Sequence, residues 1–300
     1  MTTPTVTKDH SILRMSRHAA PVARIASGGT IRLETADCFL DQVSGPADVR
    51  SLDWDTVNPA TGPVLVEGAE PGDVLAVRIE RVETSSHGVM CTGGGWGVVG
   101  DRIDELTWRF LDVGRVEARW EGGPTVPLKP MIGVIGVAPA GDDVPCGTPG
   151  PHGGNMDTRL IGEGATLYLP VQVSGALLAA GDLHAAMGDG EVADTGVEVA
   201  GAVTLRVTLR RDLRLSDPVV EDDELVATIA SAATLDEAAG LATHAMADLL
   251  HERLGFDLAD AVMLMSAGGH VRVSQMVDPL RTVRFEMPKA LYEPSHGALL

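Results

Sequence analysis

The sequence predicts a β-rich α+β fold: packed β-sheets in a sandwich or barrel-like arrangement, with a helical pair late in the chain. Short apolar/polar alternations, bounded by Gly, Pro, Asn and Asp turns, fill the first two-thirds. Helical periodicity with a capping signature comes only after Thr234. Neither an alternating strand–helix pattern nor a fixed-period repeat is visible.

Residues 1–20 read as a polar, loosely structured lead, 21–289 as one compound unit, and 290–300 as a tail. Residues 22–27 are extended up to the Gly28-Gly29 turn. Residues 30–35 then alternate, with Ile31 and Leu33 on one face and Glu34 on the other. Pro71-Gly72-Asp73 is a turn feeding residues 74–80, where Leu75, Val77 and Ile79 face inward. Residues 91–97, Cys-Thr-Gly-Gly-Gly-Trp-Gly, form a loop; a phosphate loop would need Lys-Ser/Thr after its glycines. Val116, Ala118 and Trp120 alternate. Residues 131–138 are apolar on both faces with interior glycines, the pattern of a buried strand that other backbone approaches closely. Residues 166–173 alternate, with Leu167, Leu169, Val171 and Val173 on one face and Pro170 as the mark of an edge or bulge. Residues 203–209 alternate throughout. Thr234 and Glu237 make a capping box. Leu235, Ala238, Ala242, Ala245, Met246, Leu249 and Leu250 follow at helical spacing, and Gly255 stands where a C′ glycine belongs. A second helix starts at Asp257 and reaches Gly268, and a final strand lies near residues 282–287.

Lys+Arg 23 against Asp+Glu 42 gives a net charge of −19, which argues against nucleic acid and anionic membrane surfaces as partners. No apolar run of about 18 residues occurs, and the first residues lack a signal-peptide core, so a cytoplasmic location is expected. Cys38, Cys91 and Cys146 are widely spaced and form no CxxC, so they suggest neither a disulfide framework nor a thiolate zinc site. Aromatic residues are only 3% of the chain, so the core is expected to be aliphatic.

Residues 149–191 concentrate ligand-type side chains between glycines: His152, Asn155 and Asp157, then Asp182 and His184, then Asp189 and Glu191. Imidazole and carboxylate are the groups that a hard or borderline cation takes. In extended backbone, residues i and i+2 share a face, so Asp182 and His184 should point together, as should Asp189 and Glu191. Glu34 and Asp37, at the end of an early strand, could complete such a site.

Residues 149–157, with Gly-Gly-Asn-Met-Asp, and 181–191, with Gly-Asp-Leu-His-Ala-Ala-Met-Gly-Asp-Gly-Glu, resemble the acetamidase/formamidase family, as do 30–37, 62–73, 132–138, 166–173 and 273–279. The resemblance covers most of the chain, roughly 21–289. It implies a metal-dependent amidohydrolase that cleaves the C–N bond of small linear amides to carboxylate and ammonia. On that basis Asp157, Asp182 and His184 are the expected metal ligands, with Asp37 and His152 as further candidates. Glu191 is the expected general base, with Glu34 as the alternative. Asn155 and Trp96 are the candidate substrate contacts. Zinc suits the His-plus-carboxylate set and calcium the carboxylate-rich surroundings. The protein is expected to act as a homo-oligomer. Leu183 departs from the small residue common in the family, Met187 from its usual Gln, and the 91–97 loop from its usual bulky pattern; these bear on which substrate is taken. Ureas, carbamates or cyclic imides on the same scaffold are the rival substrates, and a non-catalytic metal-stabilised β protein is the rival of another kind.

Overall fold

Alternating residues sort along each strand into two faces, and in the computed structural model, which describes residues 3–300, those faces build two large sheets. A nine-stranded sheet runs in the order Thr5–Val6, Thr30–Thr35, Gly201–Arg210, Val74–Thr84, Thr166–Pro170, Val219–Glu221, Leu225–Ala232, Arg281–Pro288, His270–Gln275. An eleven-stranded sheet follows the path Thr125–Pro127, Glu117–Trp120, Thr107–Val113, His87–Thr92, Glu198–Val199, Leu178–His184, Met131–Gly136, Gly153–Asn155. Ala60–Glu67 also pairs with Leu178–His184 in that second sheet.

The facing sides of the sheets share one aliphatic core. Ile31, Leu33, Val77, Ile79, Leu167, Leu169, Val203 and Leu205 of the first meet Val64, Val66, Ile132, Ile135, Leu178 and Leu183 of the second. Each such side chain contributes about 1.5–3 kcal/mol by leaving water. The other face of the nine-stranded sheet, through Val74, Ala76, Tyr168, Val226 and Ala230, packs under two helices, α1 (Leu235–Leu254) and α2 (Leu258–Gly268). Thr234 begins α1 by accepting from the Glu237 N–H at 3.2 Å. Gly255 ends it in the left-handed region, φ 72°. Asp257 caps α2 by accepting from the Ala259 N–H at 2.9 Å. Among the described residues, no helix is long and apolar enough to cross a membrane.

Two local expectations change. The segment 1–20 was expected to be loose; of it, the described residues 3–20 are tied down: Thr5–Val6 pairs with Thr30–Thr35, Ser11–Ile12 pairs with Ala60–Glu67, and Met15 is buried in a small cluster with Val134 and Cys146. Pro170 is neither an edge residue nor a bulge. It is the last residue of a central strand lying between Val74–Thr84 and Val219–Glu221, paired with Val74, and the next N–H, that of Val171, still donates to the Asp73 carbonyl at 2.9 Å.

Candidate active site

The strand Leu178–His184 is paired on both sides, and its last residues bring Asp182 and His184 to one end of the second sheet. Gly133 of the neighbouring strand lies beneath them. A Cβ there would stand 2.5 Å from Asp157 Oδ1 and 2.7 Å from Asp182 Oδ2, so glycine is what leaves room for two carboxylates. Gly196 likewise packs against the His184 ring, where a Cβ would stand 2.6 Å from Nδ1. With Nδ1 against that wall, Nε2 faces the carboxylates of Glu198 at 3.2 Å, Asp157 and Asp182 at 3.7 Å each, and Glu191 at 3.9 Å.

All five side chains are buried. Both oxygens of Asp157, one of Asp182, one of Glu198 and one of the neighbouring Asp278 lack a hydrogen-bond partner. Burial pushes the Asp157 carboxyl up to about 6 and Glu198 up to about 8, and it raises Glu191 and Asp278 well above the usual carboxylate range. Burial opposes the His184 imidazolium, but Glu198 and Asp182 outweigh it and hold His184 well above the ordinary histidine value. Buried carboxylates this close need protons or a cation between them.

The backbone is also under constraint here. Asp157 (φ 40°), Asp182 (φ 52°) and Glu191 (φ 45°) all adopt the left-handed region, which costs a residue with a Cβ on the order of 1–3 kcal/mol. Strain of this kind persists only where surrounding structure enforces it. It coincides here with three members of one cluster, which makes that cluster the candidate site.

The donors fall into two groups whose ligand atoms lie within 4.8 Å of one another: Asp157, His184 and Glu191, and Cys38, Asp182 and Glu198. The orphaned, buried oxygens fit a divalent cation, since an imidazole nitrogen and several carboxylate oxygens converge on one place. A cavity of about 650 Å³ opens onto this cluster; Asn155, Asp278, Thr195, Trp54 and Trp96 are among its walls.

Of the residues singled out in the sequence, Asp157, Asp182, His184 and Glu191 come together, and Asn155 and Trp96 line the same cavity. The others do not line that cavity. Glu34 pairs with Arg32 at 2.6 Å and its side chain is 40% exposed. Asp37 accepts from the Phe39 and Asp41 N–H groups at 3.0 and 2.8 Å, closing a turn, and faces a separate cavity of about 850 Å³ beside Asp41 and His87. Burial raises the Asp37 carboxyl to about 6. His152 is enclosed between Gly150 and Gly154, and burial lowers its imidazole to about 4. Asp189 does not share a face with Glu191: it binds Arg284 at 2.8 Å, because Gly190 (φ 97°) and Glu191 turn the chain between them.

Glu198, Asp278 and Cys38 also stand at this cluster, and sequence reasoning did not place them there. Asp278 lies within the 273–279 segment that carried the family resemblance, and Glu198 alternates with the buried Val197 and Val199. Those were the available signals.

A buried imidazole ringed by uncompensated carboxylates at the floor of a cavity is a group of side chains that could hold a metal ion. The sequence profile of the Acetamidase/Formamidase family matches residues 4–146 and 140–293, and the chain belongs to that family. It is similar to a crystal structure of an acetamidase from Bacillus halodurans, at 44% identity and TM-score 0.95, covering 98% of this chain and 100% of that one. It is equally similar in fold to a predicted acetamidase/formamidase from Thermoanaerobacter tengcongensis, at 46% identity and TM-score 0.95, covering 99% and 98%. A formamidase from Methylophilus methylotrophus is 28% identical over 251 residues, 64% of this chain and 62% of that protein. The match spans just under two-thirds of the length of the curated relatives, 62–64%.

Proposed function

We propose that this protein is a cation-dependent hydrolase of primary amides, releasing a carboxylate and ammonia. The observation that supports this most is a pair of unpartnered oxygens at the floor of the cavity. Asn155 donates its Nδ2–H to Asp278 Oδ1 at 3.4 Å, which leaves Asn155 Oδ1 and Asp278 Oδ2 buried without partners. A primary amide brings two N–H donors to such a pair, and its nitrogen leaves as ammonia, which is again a donor. Binding that relieves unpaired acceptors discriminates strongly against molecules lacking those donors.

Asp157, Asp182 and His184 would hold the cation; zinc suits the imidazole-plus-carboxylate set, and calcium the oxygen-rich surroundings. When bound, it supplies Lewis-acid polarisation of the carbonyl and lowers the pKa of water. Glu191, raised well above the ordinary range, is the group of this chain that takes the proton from the attacking water. Water oxygen bonds to the carbonyl carbon, the C–N bond breaks, and Glu191 returns the proton to the departing nitrogen. Asn155 Oδ1 orients the NH₂ group through both steps. The thiols do not supply a nucleophile: Cys38, Cys91 and Cys146 are buried, and burial raises Cys91 and Cys146 to about 12 and Cys38 well above its ordinary value.

The test is metal analysis of protein purified without chelator, paired with ammonia release from formamide and acetamide. Bound divalent metal, and turnover that a chelator removes and the metal restores, are expected. Full turnover by metal-free protein would overturn the reading.

A further inference from the structure

Resting on the amide-hydrolase reading, we propose that the substrate is a primary amide whose acyl group carries a neutral aromatic ring, seated on Trp54 and Trp96 at the mouth of the cavity. A one- or two-carbon amide fills little of the site. The cavity of about 650 Å³ falls among the roughly 300–1,000 Å³ sites that enclose drug-sized ligands. Formamide or acetamide, a handful of atoms at the floor, would leave most of that space without dispersion contacts and would itself be poorly positioned.

The wall has a composition unlike the rest of the molecule. Aromatics are 3% of the chain and the core between the sheets is aliphatic, yet three of the four tryptophans gather here. Trp54 and Trp96 lie with ring centroids 4.7 Å apart and planes 32° from parallel. Trp108 stands behind Trp54 at 6.1 Å, and Phe39 meets Trp108 edge-on at 5.1 Å. Trp54 is therefore fixed before a ligand arrives, and a ring stacking on it immobilises few protein side chains. Trp96 remains 40% exposed, an apolar surface still available for burial.

The glycine loop that carries Trp96 is tightly fitted. A Cβ at Gly93 would stand 2.5 Å from the Glu105 carbonyl oxygen, and one at Gly97 would stand 2.6 Å from that of Val192. The Val98 N–H donates to the Val192 carbonyl at 2.9 Å, next to Glu191 in the chain. This loop thus holds Trp96 in register with the residue assigned as base. Val57, Cys38, Cys91 and Val277 add uncharged surface to the lining. Asp55 and Asp194 line the cavity against a single guanidinium, that of Arg14, which donates to the Asp143 carbonyl; this balance and the net charge of −19 disfavour a second carboxylate on the acyl group.

The experiment compares kcat/KM of the metal-loaded full chain for acetamide and phenylacetamide, in wild type, Trp96→Ala and Trp96→Phe. Calorimetric binding of acetate and phenylacetate provides a readout independent of turnover. Phenylacetamide is expected to exceed acetamide by roughly tenfold or more, the scale of discrimination in an apolar pocket. Trp96→Ala is expected to reduce the phenylacetamide-to-acetamide ratio about tenfold, and Trp96→Phe to retain most of it. Phenylacetate should bind about tenfold tighter than acetate. Equal or better turnover of acetamide, with a ratio unmoved by Trp96→Ala, overturns the aromatic seat and leaves the amide-hydrolase reading intact. Absence of turnover with any amide sinks that reading instead. Calorimetry then still decides on the seat: preferential phenylacetate binding supports it, and equal binding overturns it.

Discussion

Along the seven residues of Leu178–His184, Leu178, Ala180 and Leu183 lie in the aliphatic interior between the sheets, while Asp182 and His184 lie in the carboxylate cluster. One strand thus serves two regions with opposite energetics. In the interior, regular backbone and close-packed aliphatic side chains stabilise the fold. In the cluster, left-handed residues and unpartnered carboxylates cost stability. The proposed binding and chemistry fall in the costly region, and the sheets around it hold it in shape.

The largest effect should come from removing the imidazole. His184→Ala is expected to lose bound divalent metal and amide turnover together, measured by metal content and ammonia release. Retention of metal would mean that the carboxylates alone hold it. On the other side of the comparison, Leu205→Ala empties a fully buried core position and should destabilise by about 2–5 kcal/mol in denaturant titration. Its kcat below the unfolding transition should stay close to wild type, since Leu205 lies between the sheets and away from the cavity.

Glu191→Gln is expected to keep the metal and slow turnover by roughly a hundredfold or more. If the metal is lost instead, Glu191 is a ligand, and Glu198 is the buried carboxylate left to serve as base. Asp157→Asn should stabilise the metal-free protein. The Asp157 carboxyl is raised from 3.8 to about 6. The folded state therefore binds the extra proton between those values, and the stability contributed by that proton is complete below pH 3.8 and lost as pH rises through about 6. At neutral pH the variant should gain on the order of 1–3 kcal/mol relative to wild type, and below pH 4 the gain should vanish. A variant less stable than metal-free wild type at both pH values would show that Asp157 is not a cost to the fold. The smallest effect concerns the thiols: alkylation of folded protein should leave turnover largely intact, and strong inactivation that tracks thiol labelling would restore a cysteine nucleophile.

The strands were legible because alternation is local. Ile31, Leu33, Leu75, Val77 and Ile79 were assigned inward from their spacing alone, and all are fully buried. The capping Thr234 and the C′ Gly255 were legible for the same reason. Glycines within residues 131–138 signalled a close approach, but not that Gly133 makes room for Asp157 and Asp182. Glu34 and Asp37 were drawn toward the site by their place at a strand end, and Arg32 and a closed turn hold them elsewhere. Asp278 escaped notice because it reaches Asn155 across 123 residues of chain, a contact without local periodicity.

By itself the sequence determined several of the strands and the two long helices, which of their faces are apolar, and that imidazole and carboxylate are concentrated in residues 149–191. These follow from side-chain period and from the chemistry of single residues. The tertiary structure alone decided which carboxylates meet. That choice depends on left-handed backbone at Asp157, Asp182 and Glu191, on the missing side chains at Gly133 and Gly196, and on strands brought together from distant parts of the chain. A residue with a Cβ takes left-handed backbone only when its surroundings outweigh the strain, and those surroundings exist only once the chain has folded.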